Sequence, residues 1–259
     1  MAEFWWGRPP SSAVRKHRAF YPACRSKCEP ILNYMLHGLN VEDNPIAKNY
    51  GADKEIKIVY EDDELVIVNK PEGLLSVPGK QIKDSVFSRL KESYPDFKEL
   101  LLVHRLDMST SGLIVVAKNL NTHKYLQRQF IKRQVFKRYV AILDGTLNKT
   151  KGVVDLPMRV DLDNRPRQLI CYDYGKQAVT EFEVVQLKEG KTRIHFYPKT
   201  GRTHQLRLHA AHKLGLNCPI LGDDLYGIRN DRLYLHAEEI SFVHPKSRER
   251  VRFIAPADF

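Results

Sequence analysis

Three ionisable side chains, His104, Arg105 and Asp107, are crowded into one short polar turn between two apolar runs, residues 100–103 and 113–117. Runs of that kind predict buried strands or strand-like pieces. A turn so small has no packing reason to hold three titratable groups, and Ser109, Thr110, Ser111 and Gly112 favour tight backbone geometry. A carboxylate lifted out of the interior on a rigid turn is placed to do chemistry, as a nucleophile or as an ion that stabilises a developing cation. The plainer alternative is an Asx-turn, in which Asp107 only accepts hydrogen bonds from the amides that follow it.

A second polar string, Lys199-Thr200-Gly201-Arg202-Thr203-His204-Gln205-Leu206-Arg207, lies between a strand at residues 193–197 and a helix. In that helix Leu206, Ala210 and Leu214 recur every four residues, Thr203 is the expected N-cap and Gly215 closes it. Arg202 then projects from the strand-to-helix turn. His204, His209 and His212 do not have the spacing of a His-Glu-x-x-His zinc site, so no metal is expected.

Regular structure begins at residue 56, with a hairpin of residues 56–60 and 65–69 across four consecutive acids. Asn69-Lys70-Pro71-Glu72-Gly73 reads as a loop, and Asp84 as the cap of a helix that carries Val86, Phe87 and Leu90 and stops before Pro95. From residue 118 to 140 there are seven Lys or Arg residues and no acid, a run that repels itself unless a polyanion lies across it. A helix at residues 122–132 would turn Leu126 and Phe130 inward and Lys124 and Arg128 outward, ending on Lys132 with Arg133 just beyond. Tyr139 falls in the strand that follows and residues 178–187 form another; by spacing alone it is a half-buried strand tyrosine.

The composition points the same way. The chain has 259 residues, 42 Lys plus Arg against 31 Asp plus Glu, and a net charge of +11, which favours nucleic acid as partner. No apolar run reaches membrane-spanning length, and residues 1–10 lack a signal-peptide core. Cys24, Cys28, Cys171 and Cys218 are too few for a disulfide framework and fit free thiols in a reducing cytoplasm. Residues 1–55, with Phe4, Trp5, Trp6, Phe20 and Tyr21 among prolines and basic residues and one short helix near residues 30–36, read as an N-terminal extension packed on a main domain at residues 56–259.

Taken whole, His104-Arg105-Leu106-Asp107-x-x-Thr110-Ser111-Gly112-Leu113 resembles the catalytic motif of the RluA family of RNA pseudouridine synthases. Asn69-Lys70-Pro71-x-Gly73, Asp155-Leu156-Pro157, Asn164-Arg165-Pro166-Arg167-Gln168 and the 199–207 string are similar to the family as well, so the resemblance spans residues 56–259. It is nearest to the subfamily without an S4 RNA-binding domain. The resemblance implies an α+β pseudouridine synthase fold, a mixed and largely antiparallel sheet with flanking helices and a central cleft. It implies Asp107 as the catalytic carboxylate, Tyr139 against the flipped uracil and in proton abstraction, and Arg202 as the ion-pair partner of Asp107. Arg105 would fill the space that the flipped nucleotide leaves, and a planar cation suits stacking. His104, Lys70, Arg165, Lys124, Arg128, Lys132 and Arg133 complete the expected RNA contacts. The expected substrate is a uridine of the tRNA anticodon loop, of a 23S rRNA hairpin, or both. The product is an isomer, so no cofactor is expected, nor any obligatory protein partner; a monomer is expected. A different rRNA site or a non-catalytic RNA-binding protein is the alternative. His-Arg-x-Asp also occurs in kinase catalytic loops, but no Gly-x-Gly-x-x-Gly, no Asp-Phe-Gly and no Asn five residues after Asp107 accompanies it.

Overall fold

The computed structural model describes residues 55–95 and 100–259. The expectations for residues 1–54, including Cys24, Cys28, the aromatic residues and the short helix, lie outside the described residues. The first hairpin pairs β1 (Lys57–Glu61) with β2 (Leu65–Lys70), and Asp62 closes its turn by accepting from the amides of Glu64 and Leu65 at 2.8 and 2.9 Å. Next come α1 (Val86–Ser93), β3 (Leu101–Leu102), β4 (Ser111–Ala117), α2 (Leu120–Ile131) and β5 (Phe136–Leu143). The remaining strands are β6 (Lys151–Asp155), β7 (Met158–Val160), β8 (Gln168–Ile170), β9 (Val179–Lys188) and β10 (Lys191–Pro198). Then α3 (Gln205–Ala211), β11 (Leu235–Val243) and β12 (Arg250–Ile254) complete the chain.

One sheet runs β1-β2-β4-β11-β5-β10-β9-β6, with β3 on β4 and β12 on β11; β7 and β8 form a separate hairpin. Only the β4–β11 pairing is parallel. This is the mixed, largely antiparallel sheet that the family resemblance implies.

Strands β2 and β4 read as continuous apolar runs because both of their faces are covered. Leu65, Ile67, Leu113 and Val115 face Leu126 of α2, whereas Val66, Val68, Ile114 and Val116 face Val86 and Leu90 of α1. The β5, β9 and β10 side of the sheet packs against Leu206 and Ala210 of α3.

Two helix starts differ from expectation. The N-cap of α1 is Ser85, in a capping box with Ser88, while Asp84 is drawn aside into a bidentate pair with Arg89. The N-cap of α3 is His204, not Thr203, at φ 54°, and the helix ends at Ala211 because His212 turns extended, leaving Leu214 56% exposed. The α2 helix begins two residues earlier than predicted, capped by the Asn119 side chain on the Thr122 amide at 2.9 Å.

A single lateral register organises the centre of the sheet. Lys70 pairs with Gly112, Gly112 with Ala237, Ala237 with Tyr139 and Tyr139 with Phe196. At Gly112 (φ 116°) a Cβ would lie 2.5 Å from the Ala237 nitrogen, so neither the dihedral nor the space admits a side chain. Gly112→Ala is therefore expected to cost about 3 kcal/mol or more of stability, read as a lower denaturant midpoint with an unchanged slope; a cost under about 1 kcal/mol would contradict this register.

Candidate active site

Asp107 sits on the turn between β3 and β4, and the Asn-Lys-Pro loop clamps that turn on both sides of it. Ser76 Oγ donates to the Leu106 carbonyl at 2.7 Å and accepts from the Leu106 amide at 3.1 Å. Met108 O accepts from the Gly73 amide at 2.9 Å and from Lys70 Nζ at 3.0 Å. Both neighbours of Asp107 are thus fixed through their backbones. The turn itself closes with the Thr110 amide donating to the main-chain carbonyl of Asp107 at 3.1 Å. Among the described residues nothing is hydrogen-bonded to the Asp107 carboxylate, so the Asx-turn alternative does not hold.

Lys70 is not an RNA contact. Its side chain is 0% exposed, and Nζ donates to Pro71 O and Leu74 O at 2.8 Å as well as to Met108 O. Burial pushes the ammonium down to about 7, opposed by the charges of Asp107 and Glu72. Three carbonyl acceptors match the three N–H bonds that only the charged form carries. His104 is likewise structural. Its Nε2 accepts from the Val115 amide at 3.1 Å and its ring stacks on Phe130 with centroids 5.0 Å apart. Burial, then the charge of Lys137, pushes it down to about 3, so it is a neutral brace and carries no charge toward phosphate.

The turn opens into a cavity of about 360 Å³ that Asp107, Arg105, Tyr139, Arg202, His204 and Arg207 all line. Tyr139 arrives from β5 through the lateral register. Burial, with the Asp107 charge beside it, raises its pKa and keeps the hydroxyl protonated. Arg105 is exposed at the lip. Arg202 lines the cavity but does not pair with Asp107: it is exposed, and its Nε donates to Gln177 O at 3.1 Å. The turn that carries Arg202 is fastened by Gln205, whose Oε1 accepts from the Arg202 amide at 3.0 Å and from Thr200 Oγ1 at 2.7 Å.

The arginine that Asp107 acts on electrostatically is Arg207, which the sequence reading passed over. It is 3% exposed and gripped by Asp223, with Nε and Nη2 donating at 2.9 and 2.6 Å, and by Asp224 at 2.8 Å. Burial alone would lower its pKa; the hydrogen bonds and charge of Asp223, followed by the charge of Asp107, raise it instead. One signal was available. An arginine within the apolar stretch of residues 206–211 must be buried, and a buried guanidinium needs carboxylates such as Asp223 and Asp224. His204 lies beside it, with Nδ1 3.0 Å from Tyr226 Oη; burial lowers its pKa while Asp107 raises it. No group of His, Cys, Asp and Glu among the described residues could hold a metal ion.

The remaining expected RNA contacts are all exposed but dispersed. Arg133 lines a groove beside the Asp107 cavity, Arg128 and Lys132 line a different hollow with Tyr125 and Arg250, and Lys124 lies on the open face of α2. Arg165 stands at the tip of the β7–β8 hairpin, next to Arg167, which lies over the Tyr226 ring at 5.5 Å. The seven cations of residues 118–140 do not all await a polyanion. Lys118 pairs with Glu61 at 2.6 Å, and Arg138 with Glu238 and Glu239, each at 2.9 Å.

Residues 64–212 match the family model described as RNA pseudouridylate synthase. Dual-specificity RNA pseudouridine synthase RluA of Escherichia coli strain K12 is 46% identical over 222 residues, covering 82% of this chain and 99% of that protein. The RluA of Haemophilus influenzae is 46% identical over 227 residues, covering 85% and 99%. Among solved structures, human RNA pseudouridylate synthase domain containing 1 superposes with a TM-score of 0.68 at 27% identity, over 82% of this chain and 87% of that one. The fold and the sequence together define an RNA pseudouridine synthase, an isomerase acting on uridine in RNA. Within that class the chain belongs to the RluA family.

Two outcomes are expected. Lys70→Met takes the shared donor from three carbonyls under the Asp107 turn, of which Met108 O keeps the Gly73 amide, and should cost roughly 3 kcal/mol of stability, with turnover lost more than RNA affinity; retained stability would show that Nζ does not hold the turn. The second concerns His104 and His209, the latter pushed down by burial to about 4. Both are neutral when folded and gain protons near pH 6.5 when unfolded, so stability should fall on acidification from pH 6.5 toward 4, by on the order of 1 kcal/mol per pH unit for each. Chemical denaturation across that range, repeated on His209→Gln, should show a shallower slope for the variant; an equal slope would contradict the assignment.

Proposed function

We propose that the Asp107 cavity isomerises a uridine of a tRNA anticodon loop, of a 23S rRNA hairpin, or of both, with the target base flipped out of its stack and into the cavity. What carries this reading is the Asp107 carboxylate. It is held on a turn clamped at both flanking residues, it takes no hydrogen bond from that turn, and it faces Tyr139 and Arg207. A carboxylate kept so free is available to a substrate. The targets are those that the name dual-specificity and the family resemblance suggest; the name is that of the RluA proteins it resembles.

In this reaction the N1–C1′ bond of uridine breaks, the base turns, and a C5–C1′ bond forms, while the proton displaced from C5 is balanced by one gained at N1. Atoms are conserved, so no cofactor is called for. Such chemistry requires base flipping. Asp107 acts either as nucleophile or as the ion that stabilises the cationic sugar centre. Arg207, anchored by Asp223, supplies beside Asp107 the positive charge that the resemblance had placed on Arg202. Tyr139 packs its ring on the uracil and, with its hydroxyl protonated, serves as a donor rather than as a resting phenolate base. Arg105 at the lip stacks in the gap that the nucleotide leaves. Arg165, Lys124, Arg128, Lys132 and Arg133 contact the backbone of the RNA. The enzyme acts as a monomer in the cytoplasm without an obligatory protein partner.

The test is incubation with unmodified tRNA transcripts and 23S rRNA fragments, with pseudouridine mapped by carbodiimide-blocked reverse transcription. A stop at an anticodon-loop or hairpin uridine is expected from the wild type. Asp107→Asn should lower turnover by roughly 10³-fold or more with RNA binding retained. No stop in either RNA would reject the targets, and a fully active Asp107→Asn would reject the role of the carboxylate.

A further inference from the structure

Lys137 is the cation at the cavity that the Asp107 chemistry leaves without a task. It stands two residues before Tyr139 on β5, so both side chains leave the sheet on one face. It lines the Asp107 cavity and also a neighbouring groove of about 330 Å³, which it shares with Ile131, Arg133, Lys199 and Arg202. No acidic residue lines that groove. Among the described residues Lys137 has no ion pair and no hydrogen bond through Nζ. The carboxylates of the neighbouring strands are committed elsewhere, Glu238 and Glu239 to Arg138 and Glu181 to Lys199 at 2.8 Å, and Asp107, which lines the same cavity, makes no ion pair with Lys137. Burial, then the charge of Lys199, pushes the Lys137 ammonium down to about 8.

For the free protein this is an unfavourable arrangement. A half-buried ammonium beside a second cation loses hydration and gains no counterion, and an apolar chain of the same length would fit better. An anion in the groove would reverse the balance. RNA offers that anion at every nucleotide, and the groove adjoins the cavity that the flipped uridine would enter.

We propose that Lys137, Arg202 and Arg133 form a phosphate subsite at the rim of the Asp107 cavity, which takes the backbone phosphodiester of a nucleotide flanking the flipped uridine. The subsite rests on the reading that the uridine enters this cavity. Arg202 belongs to it by position: it lines both spaces, and its Nε bond to Gln177 O holds the guanidinium at their junction. Lys199, already paired with Glu181, acts by repulsion and keeps Lys137 in want of an anion. Lys137 is thus a positioning residue that fixes where the backbone lies, and so how far the base reaches toward Asp107.

The test compares Lys137→Met and Lys137→Arg with the wild type. Lys137→Met should melt no lower than the wild type, because it removes an uncompensated charge. It should bind a pool of unmodified tRNA transcripts roughly tenfold more weakly, with the slope of log affinity against log salt reduced by about one phosphate contact. On an RNA hairpin that the wild type modifies, KM should rise more than kcat falls, and Lys137→Arg should restore both. A neutral methylphosphonate linkage on one side of the target uridine should weaken the wild type but not Lys137→Met further. An unchanged salt slope, or a methylphosphonate penalty that persists in Lys137→Met on both sides of the target, would overturn the proposal. So would a lower melting temperature that Lys137→Arg does not rescue, which would mark a structural lysine. Wild-type protein that modifies neither RNA would reject the proposed targets, whereas binding to the transcript pool would still decide the subsite.

Discussion

The structure depends on a buried ammonium. Lys70 Nζ gathers the carbonyls of Pro71, Leu74 and Met108, and in doing so it ties the Asn-Lys-Pro loop to the turn that carries Asp107. Ser76 secures the other side of the same turn through Leu106. The backbone around Asp107 is therefore held by atoms other than its own side chain, and the carboxylate is spared. The lateral register then brings Tyr139 alongside through Ala237, and the close approach at Gly112 keeps that register from slipping.

The charges around Asp107 are graded by burial. Lys70 lies beneath the turn and Arg207 is buried on α3 with Asp223 as counterion, so both are held in place. Arg105 and Arg202 are exposed at the rim, Arg202 with its Nε on Gln177 O. A fixed field beside Asp107 with exposed cations outside it suits an enzyme that must hold one geometry for a base and fit a folded polymer around it. His104 and His209 contribute no charge to this field, because burial keeps both neutral.

Much of this was legible in the sequence, and the divisions between what was and was not follow physical range. The Asp107 turn is local: two apolar runs, Ser, Thr and Gly between them, and a carboxylate with no packing role. The β1–β2 hairpin is equally local. Lys70 misled because a lysine beside proline reads as exposed, and the third of the carbonyls that satisfy its buried ammonium, Met108 O, is 38 residues away in sequence. The resemblance placed the ion pair on Arg202, whereas Arg207 is identified only by its partner Asp223, 16 residues away in sequence. The α3 helix was drawn too long since Leu214 keeps the right spacing, yet His212 leaves the helix and Gly215 packs under the His209 carbonyl. The basic run was read as one patch although Lys118 and Arg138 already have acids supplied by other strands.

The β7–β8 hairpin stands apart from the main sheet and is fastened beside the cavity largely through Tyr226. The tyrosine hydroxyl accepts from the Gln168 amide at 2.7 Å and meets His204 Nδ1 at 3.0 Å, while its ring lies under Arg167. One phenol is thus shared between a peripheral arm and His204, which lines the Asp107 cavity. The arm works as a separable fitting on a fixed socket: the exposed tip that carries Arg165 can vary in outline while the socket, and the cavity behind it, keep their dimensions.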